Sequence, residues 1–64
     1  MMIKLNGMEK PYRETIGELL SENQYEMKKL AVLVNGEIVK KENWPVFTLK
    51  PGDEVDVVTF VGGG

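Results

Sequence analysis

A chain of 64 residues with a formal net charge of −2 and neither Cys nor His leaves a short menu of functions. Without Cys there are no disulfides, thiolate metal sites or nucleophilic thiols, and without His the commonest general base and metal ligand is missing. Charges of both signs are scattered, so no basic stripe marks a nucleic-acid partner, and no apolar run approaches the roughly 20 residues that cross a bilayer.

A chain of this size forms one domain and buries only about 60% of the surface that its unfolded form exposes. The fold therefore depends on an economical apolar core. The N-terminal "MMIKLNG" lacks the long apolar stretch of a signal peptide, and the expected location is the cytoplasm.

In chain order, "MIKLN" (2–6) sets Ile3 and Leu5 against polar neighbours, the period-2 pattern of a half-buried strand. Asn6-Gly7 predicts a tight hairpin, because both residues tolerate positive φ. "MEKPY" (8–12) is the returning strand, and Pro11, which lacks a ladder donor, places it at an edge. Thr15 reads as a helix N-cap with Glu18 completing a capping box. Ile16, Leu19 and Leu20 share one helical face, and the helix ends near residues 21–23. Gly17 weakens it by roughly 1 kcal/mol relative to Ala. Tyr25 and Met27 are expected to close the following loop over the core.

"LAVLVN" (30–35) is the clearest candidate for a buried strand, and "NGE" turns it toward "EIVK" (37–40). "KKENW" predicts an irregular turn or one turn of 3₁₀ helix, with Trp44 read as a cap on the core rather than as a partner anchor. "FTL" (47–49) is a short strand candidate. "KPGDE" (50–54) carries turn chemistry, since Pro51 pre-sets φ and Asp53 can bond the local backbone. "VDVVTFV" (55–61) is the last strand. A hairpin, a helix and further strands in this order give an α+β, β-grasp arrangement: a mixed sheet of four to five strands with one helix across one face. By analogy with that fold, the first and last strands lie side by side and parallel. The domain is expected to occupy residues 1–61, followed by a tail at 62–64.

Few residues offer chemistry. Glu14 with Glu18, Glu22 with Glu26, and Asp53, Glu54 and Asp56 are close in sequence. A catalytic carboxylate pair needs burial to separate its pKa values and a pocket to hold substrate, and so small a domain has little room for either. They read as solvated faces and turns. "GDEVD" lacks the alternating oxygen ligands of a calcium loop. Gly7, Gly36 and Gly52 are isolated turn glycines, with no phosphate-binding motif around them.

The C-terminal "VVTFVGGG" (57–64) is different. If Val55, Val57 and Thr59 face the helix, Val58 and Phe60 point to the other side and form an apolar contact surface; the opposite register would bury Phe60. Gly62, Gly63 and Gly64 follow directly. With glycine at about 7% of residues on average, a triple at a set place arises by chance on the order of a few times in ten thousand. Three extended residues reach about 10 Å, and without Cβ atoms they can thread a narrow channel in another protein.

These residues carry a family resemblance. "LAVLVNGEIVKKENW" and "LKPGDEVDVVTFVGGG", together with "IKLNG" and "TIGELL", resemble the ThiS family, the small ubiquitin-like sulfur carriers of thiamine biosynthesis. The resemblance covers most of the chain and implies a carrier with no catalysis of its own. In such proteins a ThiF-type adenylyltransferase, related to ubiquitin-activating enzymes, uses MgATP to convert the C-terminal carboxylate into an acyl-adenylate. Sulfur from a cysteine desulfurase or another persulfide donor then replaces AMP, and a ThiG-type thiazole synthase accepts it from the thiocarboxylate. Carried onto this chain, the acceptor is the carboxylate of Gly64, with Gly63 completing the glycine pair. The family needs two glycines and this chain has three, so Gly62 lengthens the tail. No cofactor is expected to be bound by the chain itself. The alternatives are a carrier of the molybdopterin synthase small-subunit type, usually longer and without the "VNGEIV…W" segment, and a non-catalytic ubiquitin-like interaction module or modifier.

Overall fold

The computed structural model describes residues 1–26 and 29–59. Strand β1 (Met2–Leu5) buries Ile3 and Leu5 and exposes Met2 and Lys4, as the alternation requires. It turns at Asn6 (φ 51°) and Gly7 (φ 81°). Two successive positive φ values give the turn whose twist matches that of the flanking strands. Strand β2 (Met8–Pro11) returns along the sheet edge with Pro11 opposite Met2.

Helix α1 (Ile16–Glu22) begins at the predicted cap. Thr15 Oγ1 accepts the Glu18 N–H at 3.2 Å, and Glu18 Oε1 accepts the Thr15 N–H at 3.2 Å. Two of the otherwise orphaned N-terminal donors are thus satisfied. At the other end the Asn23 side chain donates to the Leu19 carbonyl at 2.8 Å. A Thr15→Ala chain is expected to lose about 1 kcal/mol, which thermal unfolding reads as a drop in Tm of roughly 4–8 °C at this chain length; an unchanged Tm would mean the cap contributes nothing.

Strand β3 (Leu30–Val34) turns at Asn35 (φ 51°) and Gly36 (φ 86°) into β4 (Glu37–Val39). A 3₁₀ turn at Lys41–Asn43 follows and delivers Trp44 into the core. The indole N–H donates to the Val39 carbonyl at 2.9 Å, so its polar edge is satisfied where it is buried. The segment 47–49 departs from expectation. Thr48 makes only an isolated bridge to Thr15. Its neighbours' N–H groups go elsewhere: Phe47 to the Asn43 carbonyl at 2.8 Å and Leu49 to the Glu14 carbonyl at 2.7 Å. Leu49 is buried, so the apolar residues of this segment are core plugs on a loop and not a strand.

Strand β5 (Glu54–Thr59) runs up the middle of the five-stranded sheet, in the order β2-β1-β5-β3-β4. It lies parallel to β1 and antiparallel to β3. This is the β-grasp arrangement. Ile16, Leu19 and Leu20 of α1 pack with Ile3, Leu5, Val32, Val34, Val55 and Val57 of the sheet, and Trp44 and Leu49 complete the buried set. Tyr12 and Tyr25 lie against it, partly buried; Met27 lies outside the described residues.

Strand β3 is less buried than its sequence suggests. Val32 and Val34 are buried, whereas Leu30, Ala31 and Leu33 are only partly buried. One helix covers one face of the sheet only, so the run of apolar residues in β3 serves two environments.

Candidate functional site

Among the described residues no polar or charged side chain is buried. Some of the acidic residues have structural tasks. Asp53 Oδ2 accepts the Lys50 N–H at 2.8 Å and closes the turn before β5. Glu22 pairs with Arg13, along a shallow open groove that also includes Gly17, Glu18 and Ser21. Among the described residues no three acidic, His or Cys side chains converge as a metal site.

The feature with directional character is β5 and the surface beside it. Val55 and Val57 are buried beneath α1 and Val58 is about half exposed on the opposite side, which is the register read from the sequence. Thr59 occupies the inward position opposite Leu30 but is exposed, because the described core ends at Val57. Phe60, Val61 and the glycines 62–64 lie outside the described residues.

Val58 has apolar company that the sequence did not reveal. Its cross-strand partner is Ala31, and two residues further along β3 Leu33 pairs with Ile38 of β4. Ile38 is 69% exposed. Ala31, Leu33, Ile38 and Val58 therefore form a continuous apolar patch on the sheet face that no helix covers. Asp56 lies opposite Leu33, and Glu54 is next outward along β5, so the patch has an acidic border. A patch of this kind, rimmed by polar groups, is the ordinary form of a protein contact surface.

Two asparagines hold β5 in place, and sequence reading saw them only as turn formers. Asn35 donates its N–H to the Glu54 carbonyl at 2.7 Å, and its Oδ1 accepts the Glu54 N–H at 3.0 Å. From the other side, Asn6 donates its N–H to the Val55 carbonyl at 2.8 Å. Its Oδ1 accepts the Val57 N–H at 2.7 Å, and its Nδ2 donates to the Tyr25 hydroxyl at 3.1 Å. Each left-handed turn aims an amide side chain back at the strand between the two hairpins. The available signal was the repetition of Asn-Gly after two alternating apolar runs.

This geometry has close counterparts. The ThiS family model matches residues 3–64. The sulfur carrier protein ThiS of Bacillus subtilis is 38% identical over 66 residues, covering 98% of this chain and all of that one. The sulfur carrier protein ThiS of Thermus thermophilus is 39% identical over 64 residues, with the same coverage. A thiazole synthase of Paramagnetospirillum magneticum is 35% identical over 66 residues, and there this whole chain spans only 20% of the relative's length. Among solved structures, the crystal structure of the thiamine biosynthesis protein ThiS from Geobacter metallireducens superposes with a TM-score of 0.83 at 30% identity, over 100% of both chains. With a match along nearly its whole length in both sequence and backbone, the chain belongs to the ThiS family.

Proposed function

We propose that this protein is a sulfur carrier of thiamine biosynthesis that acts in the cytoplasm as the substrate of other enzymes and has no catalysis of its own. The observation that carries the reading is the full-length match to two sulfur carrier proteins in a chain that ends on Gly62, Gly63 and Gly64. The proposed working group is the carboxylate of Gly64. A carboxylate is a poor electrophile, so a ThiF-type adenylyltransferase first joins it to AMP, using MgATP and releasing pyrophosphate. The terminal sulfur of a persulfide, from a cysteine desulfurase or another donor, attacks the mixed anhydride and expels AMP. Thiol reduction of the resulting S–S bond leaves the thiocarboxylate. A ThiG-type thiazole synthase is the proposed acceptor, in keeping with a thiazole synthase that contains a stretch similar to this whole chain.

The patch of Ala31, Leu33, Ile38 and Val58, together with Phe60, is the proposed docking surface for these enzymes. It adjoins the strand that leads into the tail, so a partner seated there has the carboxylate within reach.

Intact-mass measurement tests the reading directly. Incubated with the adenylyltransferase, MgATP and a persulfide donor, the chain is expected to gain the mass difference between one sulfur and one oxygen atom. A modifier attached to lysines would instead appear as isopeptide conjugates. An unchanged mass beside a competent enzyme would overturn the carrier reading.

A further inference from the structure

Strand β5 outlasts its neighbour. Strand β1 pairs with it only at Lys4–Glu54 and Leu5–Val55, and then the chain turns away at Asn6-Gly7. Strand β3 continues to pair with β5 as far as Leu30–Thr59. In an antiparallel ladder alternate residues direct their backbone groups to one side. The Asn35–Glu54 bond fixes that alternation, so residues 54, 56 and 58 serve β3. Residues 55, 57 and 59 face the β1 side, as the bonds from Asn6 to Val55 and Val57 require.

Asn6 supplies the last bond on that side. Beyond it, the Val57 carbonyl and the Thr59 N–H point to where β1 would have continued, and among the described residues neither has a backbone partner. Their geometry is nevertheless extended, because β3 holds their neighbours Asp56 and Val58 from the other side. Among the described residues, the result is a short open edge inside an otherwise paired sheet.

We propose that this edge seats an extended segment of the adenylyltransferase, which takes over from β1, accepts the Thr59 N–H and donates an N–H to the Val57 carbonyl. Strand addition of this kind is a common way to bind a chain through its backbone. The inference rests on the carrier reading and assigns a further contact to it. Size decides the occupant. A backbone hydrogen bond contributes at most about tenfold in affinity, so two of them cannot hold a second copy of this chain unaided. They matter when the rest of the interface is supplied elsewhere, and Val58, in the exposed patch, lies between the two groups on the same strand. A partner that rests on Val58 and follows the chain toward Gly64 passes this edge and can fix the direction in which the tail leaves.

Amide hydrogen exchange with and without the adenylyltransferase, in the absence of ATP, provides the test. The Thr59 amide is expected to exchange freely in the isolated chain and at least about tenfold more slowly in the complex. The Val58 amide, bonded to β3, is expected to be protected in both. Thr59→Pro removes the donor without removing a hydrogen bond to any described residue, and proline is tolerated where the missing N–H faces outward. Relative to Thr59→Ala, it is expected to keep its Tm within a few degrees and to slow the mass gain about tenfold. A Thr59 amide that exchanges equally fast in the complex would overturn the proposal, as would a folded Thr59→Pro chain modified as quickly as Thr59→Ala. Protection that appears with rising concentration of the chain alone would assign the edge to a second copy and overturn it too. Should the proline chain fail to fold, the exchange result decides. An enzyme that leaves the unsubstituted chain unmodified counts against the carrier reading itself, a failure visible before any variant is made.

Discussion

A chain that lacks Gly63 and Gly64 is expected to fold as the full chain does and to gain no sulfur at all. The last buried residue described is Val57, so the truncation removes no core contact among the described residues, and its stability should stay within about 0.5 kcal/mol of the parent. The loss of function should be complete, because the group to be activated has moved about 7 Å closer to the domain. Without Cβ atoms the glycines can pass through a channel that would exclude any other residue, and the remaining residues cannot cover the same distance. Intact mass reads one half of the prediction and thermal unfolding the other. If the truncated chain still gained sulfur, the new carboxylate of Gly62 or a side chain would be the attachment point, and the assignment to Gly64 would fail.

Leu20→Ala is expected to have the largest effect on stability. Leu20 is fully buried on the inner face of α1 beside Ile16 and Leu19. Removing its side chain forfeits transfer energy and leaves a cavity, together costing about 2–5 kcal/mol. At typical stabilities per residue a chain of this length has only about 3–10 kcal/mol in all. The variant is therefore expected to lose a large share of its total stability. Ile38→Ala, on the exposed patch, should change stability by no more than about 0.5 kcal/mol. Urea unfolding of the two variants side by side checks both. A Leu20→Ala loss below about 1 kcal/mol would mean that the helix does not anchor the core.

The contrast between Leu20 and Ile38 also marks where sequence reading worked and where it stopped. Local signals were reliable because they are physically local. The capping box at Thr15 and Glu18, the two Asn-Gly turns, the edge strand with Pro11 and the inward set of Ile16, Leu19 and Leu20 each depend on residues a few positions apart. Misreadings arose where the deciding partner is distant. The segment 47–49 has the composition of a strand, yet its Leu49 N–H is claimed by Glu14, far back in the chain. Strand β3 reads as a buried strand because Ala31 and Leu33 are apolar, and only the packing of α1 on the other face shows that no described element covers their side. The same distance hid the patch around Val58, since Ala31, Leu33 and Ile38 join it across strands. Asn6 and Val57 are bonded across 51 positions, which no short motif records.

The position of β5 has a consequence for how the molecule is made. The middle strand is the last strand of the sheet to be synthesised, so until it appears the β1–β2 and β3–β4 segments have no strand to join them. A two-stranded hairpin is marginal in water at best, and neither hairpin can complete the core without Val55 and Val57. Adding that strand joins residues from opposite ends of the sequence, and such contacts slow folding because loop entropy is lost before they form. Folding is therefore a single event that waits for residues 54–59. A half-made carrier presents neither a finished surface nor a usable arm, and the two arrive together.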